Sequence, residues 1–154
     1  MRHWLFKSDP ESYSIQDLAR ERRTCWDGVR NYQARNFLRD ECHAGDLVLL
    51  HHSGGPDPAV VGVARVVRAG YPDPTAWQRG HPHFDSGSDP AAPTWYMVDI
   101  EIVQAFPEPL TMARLKGDAT LAGMELLRRG SRLSVQPVGE AHFHRVLALA
   151  GVRL

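Results

Sequence analysis

Apolar positions in the sequence follow two periodicities. Short β-branched and aromatic runs, bounded by Gly, Pro, Asp and Ser, cover His3 to Lys7, Leu47 to His52, Ala59 to Arg68 and Trp95 to Phe106. Each predicts a strand, because such side chains fit a pleated, half-buried surface. Arg132 to Gln136 predicts a further short strand. Helical spacing is rarer. Ser14-Ile15-Gln16-Asp17 is a capping-box pattern that opens a short helix to about Arg22, the Ser oxygen taking an orphan amide and Asp17 answering back. A second helix follows Asn31 to about Glu41, and Thr111 caps a third through Lys116. Phe143, Val146, Leu147 and Ala150 recur on one face of a last helix, with Gly151 placed to end it. The stretch from Tyr71 to Thr94, rich in Pro, Gly, Asp and Ser, reads as a long surface loop. Strands outnumber helices and the helices do not alternate regularly with them. The pattern predicts an α+β, mainly β molecule, a mixed curved sheet or barrel with helices on its rim, and argues against a doubly wound parallel sheet.

Composition narrows this picture. The chain has 154 residues, 43% of them hydrophobic, enough for one globular domain spanning 1–154 with a real core. Basic and acidic side chains balance at 18 each, which excludes a protein that coats polyanions by bulk positive charge, so any nucleic-acid face must be local. Lys7 and Lys116 are the only lysines among the basic residues. Either a G+C-rich coding bias or selection for the bidentate guanidinium produces such an excess of Arg, and composition does not separate them. Cys25 and Cys42 have no framework spacing and read as free thiols. The apolar stretch at Trp4-Leu5-Phe6 is too short for a signal peptide, and no run approaches the ~18 residues a membrane helix needs. A cytoplasmic protein without membrane contact is expected.

The chain has eight histidines, whose spacings bear on metal binding. His51 and His52 are neighbours on a strand and point to opposite faces, while His142 and His144 are splayed by roughly 200° on a helix. His81 and His83 flank Pro82, with no carboxylate or Cys partner at a recognisable spacing, so surface or packed histidine and no metal is the expectation. No phosphate-binding glycine loop, nucleophile elbow or nucleobase-deaminase signature is present. Unusual residues concentrate instead in Cys25 to Asn36 and in Arg128 to Ser134. In the first stretch Trp26 offers a flat apolar platform, Asp27, Asn31 and Gln33 can read donor and acceptor edges, and a helix N-terminus suits an anion. This is the equipment for holding a single base. A Trp beside a Gly turn is more often a core residue, and Asn31 has the pattern of a plain helix cap.

Several words of the sequence, in order over almost its whole length, resemble the EVE domain family, found in many small bacterial proteins. They are Trp4-Leu5-Phe6-Lys7-Ser8-Asp9-Pro10, Cys25 to Asn36 nearly unbroken, Gly45-Asp46-Leu47-Val48, His52-Ser53, Val61-Gly62-Val63-Ala64, Tyr71-Pro72-Asp73-Pro74-Thr75, Trp95-Tyr96-Met97-Val98-Asp99 and Arg129 to Val135. The resemblance implies a PUA-like β pseudo-barrel with peripheral helices, related to the YTH and SRA domains that recognise methylated bases. It further implies a non-catalytic nucleic-acid-binding module without a cofactor, whose partner is DNA or RNA carrying a modified, methylated or hydroxymethylated cytosine-type base. Carried over, Trp26 stacks on the base, Asp9 and Asp27 stand at its edge, and Lys7 stands near phosphate. Ser8, Asn31, Tyr32 and Ser53 complete the expected pocket, with Tyr71 or Trp77 from the loop as a second aromatic wall. Arg132 and Ser134 are expected to flank it, Arg30 and Arg35 to mark its phosphate side, and Trp4, Trp95 and Tyr96 to lie in the core. The YTH pattern has Asn or Ser where this chain is acidic, so the choice of base differs: a carboxylate asks for an N–H donor such as the cytosine exocyclic amine. A monomer is expected. Two other classes stay open: an enzyme using Asp9 and Asp27 as an acid/base pair, and a small-anion, metabolite or protein-interaction module using the same pocket.

Overall fold

The structure, a computed structural model, describes residues 1–154. It contains one six-stranded sheet: β1 (His3–Ser8), β2 (Arg23–Cys25), β3 (Leu47–His52), β4 (Ala59–Pro72), β5 (Tyr96–Thr111) and β6 (Val135–Val138), in the order β2-β5-β4-β3-β1-β6. Only the β1–β3 pair is parallel. The sheet is open, since β2 and β6 form its two edges. Four α-helices lie around it: α1 (Ile15–Glu21), α2 (Tyr32–Asn36), α3 (Met112–Lys116) and α4 (Glu140–Ala150). None is long and apolar enough to cross a membrane. The expected mainly β architecture with rim helices is therefore what forms.

Strand alternation explains how both sheet faces are covered. Trp4 and Phe6 of β1, with Val48 and Leu50 of β3, point into one cluster against α1, α2 and Trp26. Leu5 and Leu49 point the other way, into a second cluster closed by Phe143, Val146 and Leu147 of α4. The caps are those that the sequence predicts. Ser14 and Asp17 exchange capping-box hydrogen bonds, Asn31 Oδ1 accepts from the Ala34 N–H, and Gly151 ends α4 in a left-handed turn. A buried Asp46 carboxylate receives the Trp4 indole N–H at 2.9 Å and backbone N–H groups of Arg2 and His43, tying β1 to the turn before β3.

Several boundaries differ from expectation. β2 has three residues, too few to show alternation, and forms only because Arg23, Thr24 and Cys25 pair with Glu101, Ile100 and Asp99. β4 and β5 run on to Pro72 and to Thr111, past Gly70 and Pro107, because register shifts along their ladder accommodate residues that would end a flat strand. The second helix changes to a wider π turn over Phe37–Glu41. β6 starts at Val135, and Ser134 instead offers its carbonyl to the Lys7 N–H at 2.9 Å. Tyr71 and Pro72 belong to β4, and Pro74–Trp77 forms a 3-10 turn, so the loop is shorter than the sequence suggested.

Candidate functional site

A cavity of about 480 Å3 is lined by the end of β1 (Lys7, Ser8) and Asp9 just after it, by Ser12 and Tyr13 before α1, by Thr24 to Arg30, and by His83 and Ser134. Its aromatic part is built from the core outward. The Trp26 N–H donates to the Val98 carbonyl at 2.7 Å, fixing the residue at the end of β2. Its ring packs on Phe6 at 5.6 Å between centroids and meets Tyr13 edge-on at 6.1 Å, leaving 9% of the residue exposed. Tyr13 is held by the Ser8 hydroxyl, which donates to its carbonyl, and by its own N–H on the Asp9 carbonyl. The Tyr13 hydroxyl is buried without a partner, and that burial pushes its phenol above the usual range.

The polar part mixes signs. Burial lowers the Lys7 ammonium, and the Glu125 carboxylate offsets this in part. Asp9 is exposed and takes the Glu11 N–H on one oxygen. The Cys25 thiol is raised by burial and then by the charge of Asp27, which keeps it protonated and weakly nucleophilic. Asp27, His81 and His83 each offer a ligand atom, all within 4.8 Å of one another, so the loop histidines do have a carboxylate partner that sequence spacing hid.

A buried framework holds this wall. Asp73 has no exposed surface and accepts from the Gly28 N–H, from Arg30 Nη1 and from both the N–H and the hydroxyl of Thr75. Burial disfavours its charge, but these hydrogen bonds outweigh that and hold the carboxyl below the usual range. Arg30 also donates from Nε and Nη2 to the His83 carbonyl, at 3.1 and 2.7 Å. Gly28 has a φ of +78°, and a Cβ there would lie 2.4 Å from the His83 ring, so only glycine lets that ring rest on the backbone.

The structure brings Lys7, Ser8, Asp9, Trp26, Asp27, Arg30 and Ser134 to one cavity. It places the other candidates elsewhere. Tyr71 lies on the far side of β2, its hydroxyl on Asp99 and its ring under Arg68, because β4 continues to Pro72 and carries it away. Trp77 donates its indole N–H to Ser88 and closes the loop on itself. Asn31 is spent as the cap of α2. Tyr32 is 62% exposed and stacks on Trp95 under Arg35, whose guanidinium also binds the Thr94 carbonyl. Ser53 bonds back to the Ser8 carbonyl, and Arg132 points to solvent. Arg30 lines the cavity, but its guanidinium is committed to Asp73 and His83. The second aromatic group is Tyr13, and the loop contributes His83; the sequence reading placed neither in the pocket, weighing His83 only as a metal ligand. Tyr13 had a signal, since it precedes the Ser14 cap and follows Asp9-Pro10, a turn that folds it back on β1. His83 had none, because its position depends on Arg30 and Gly28 far away in sequence.

The cavity thus offers an apolar aromatic lining, carboxylate acceptors, an ammonium donor and hydroxyl groups within one space. The sequence pattern of the EVE domain family matches residues 2–149. Human thymocyte nuclear protein 1 is 39% identical over 166 residues, covering 96% of this chain and 73% of that protein. A crystal structure of a protein from Pseudomonas putida superposes with a TM-score of 0.93 at 44% identity, covering 96% of this chain and 99% of that one. The structure of human thymocyte nuclear protein 1 in complex with DNA containing 5-methylcytosine superposes with a TM-score of 0.91 at 38% identity, over 100% of both chains. With nearly every residue covered at this level of identity, the chain belongs to the EVE domain family.

Proposed function

We propose that this protein is a non-catalytic reader of DNA that holds one modified, cytosine-type base in the cavity beside Trp26. The observation that carries the reading is the convergence of Trp26, Tyr13, Asp9, Asp27 and Lys7 on one space of about 480 Å3. A base already unpaired, or flipped at a cost of a few kcal/mol, gains roughly 1–3 kcal/mol from aromatic stacking, and a desolvated methyl group adds roughly 0.8 kcal/mol. An ionised carboxylate accepts from the exocyclic amine of cytosine and repels the carbonyl that thymine presents there, so base identity is set by charge and the methyl preference by apolar contact. The one thiol lining the cavity is held protonated, which favours binding over covalent chemistry. The human relative bound to 5-methylcytosine DNA supports the same ligand class.

The test is a binding titration against short DNA and RNA oligonucleotides, single- and double-stranded, unmodified or carrying methylated or hydroxymethylated cytosine. The expected result is preference for modified cytosine in DNA, weakened about tenfold or more in Trp26→Phe while the variant stays folded. Binding absent at low salt, or indifferent to Trp26→Phe and Asp27→Asn, overturns the reading and turns attention to a metabolite or protein ligand for the same cavity.

A further inference from the structure

We infer that Asp27, His83 and His81 form a site for a divalent transition-metal cation of the zinc class at the rim of the cavity. His81 and His83 come from the loop, and Asp27 lies more than fifty residues earlier in sequence, yet one ligand atom from each falls within 4.8 Å of the others. His83 Nδ1 faces Asp27 Oδ1 at 3.8 Å, is shut off from solvent, and has no hydrogen-bond partner. A buried ring nitrogen with nothing to bond is unusual, and a cation between it and the carboxylate satisfies both.

The spacing is fixed by the framework rather than by the three side chains. Arg30 grips the His83 carbonyl with two hydrogen bonds and Asp73 with a third, and Asp73 holds the N–H of Gly28, the neighbour of Asp27. The loop and the segment after β2 are thereby pinned together whether or not an ion is present. Bonds of 2.0–2.2 Å require ligand atoms roughly 3.3–3.5 Å apart, so the Asp27–His83 pair needs only a small contraction. His81 is the weaker ligand. Its Nδ1 accepts the His83 N–H at 3.0 Å, and coordination exchanges that partly exposed bond for the metal. Two imidazoles and one carboxylate suit zinc, cobalt or nickel better than calcium or magnesium. Three protein ligands leave a further position for water or for an oxygen of a bound ligand. The site does not depend on the identity of any base.

Zinc and cobalt alone are the probes, titrated into chelator-treated full-length protein and followed by calorimetry, by cobalt absorption in the visible range and by melting temperature. One saturable equivalent is expected, with a rise in melting temperature. Asp27→Asn and His83→Gln should each weaken binding about tenfold or more, His81→Gln less, and Cys25→Ser and His144→Gln not at all. Circular dichroism confirms that each variant is folded. The inference is overturned if no saturable binding occurs, if the Asp27 and His83 variants bind like the parent, or if Cys25→Ser abolishes binding. Because Asp27 also faces the base in the proposed function, DNA binding is followed in His83→Gln, which keeps that carboxylate: loss of metal with DNA binding retained separates the two readings.

Discussion

Asp73 shows how much one residue can organise. It has no exposed surface, and its four hydrogen bonds come from Gly28, Arg30 and Thr75, so it fixes the backbone beside Trp26 and Asp27 while neutralising a guanidinium that is only 24% exposed. Asp73→Asn presents donors to donors and leaves that guanidinium unpaired. Loss of about 3 kcal/mol at neutral pH is expected, read as a lower urea midpoint. The folded carboxyl sits below its unfolded value of 3.8, so its contribution is complete above that value and disappears as pH falls through the folded one. The parent and the variant should therefore converge in stability below about pH 4. A gap that stays constant through that range would show that Asp73 is not acting through its charge. The residue was visible in the sequence only as part of the word Tyr71 to Thr75. Trp26 and Asp27 were legible because they sit in the dense, unusual stretch from Cys25 to Asn36, and Lys7 only through the family word Trp4 to Pro10. Tyr13 and His83 were not, since a pocket wall made of distant segments leaves no local pattern.

Elements were legible where periodicity and capping agreed with tertiary packing. α1 began at its predicted capping box and α4 ended at its predicted glycine, and β1 and β3 were complete within a residue. β2 escaped because its three residues depend wholly on the β5 edge, and the far end of β4 escaped because Gly70 reads as a turn. A Cβ at Gly70 would lie 2.3 Å from the Leu38 carbonyl, so the glycine marks close approach of the π turn to the strand. β3 carries a second consequence of packing. His51 is buried with neither ring nitrogen partnered, and burial followed by the charge of Lys7 lowers it to about 4. A base whose folded pKa is depressed is neutral in the fold and takes a proton on unfolding, so stability falls as pH drops from 6.5 towards 4. That single group accounts for up to about 3 kcal/mol across the interval. His51→Leu should match the parent or exceed it at pH 7 and lose less on acidification. His3 and His52 are also lowered by burial, so the slope shrinks without vanishing. Equal slopes for parent and variant in urea titrations between pH 4 and pH 6.5 would exclude His51 as the source.

At the scale of the whole molecule the deciding quantity is charge. The chain is formally neutral, and much of its arginine is already paired: Arg2, Arg20, Arg23, Arg39, Arg65, Arg128 and Arg145 with surface carboxylates, Arg30 with Asp73. That pairing leaves less free positive charge to track a duplex. On the proposed reading the protein contacts only the phosphates that flank the base in its cavity, with Lys7 on the lining and the exposed Arg132, close in sequence to Ser134, among the cations available. Each neutralised phosphate contributes a slope of about −0.9 to log K against log salt on duplex DNA, so two or three contacts give about −2 to −3. Titrations of methylated DNA between 50 and 200 mM salt should return that shallow slope, with Lys7→Gln making it shallower by about one contact and unmodified DNA binding too weakly to compete. A slope steeper than about −6 would instead require an extended basic groove. Such a result would move the source of affinity from the cavity to the backbone, and selectivity for the modified base would then have to survive high salt to be credited to Trp26 at all.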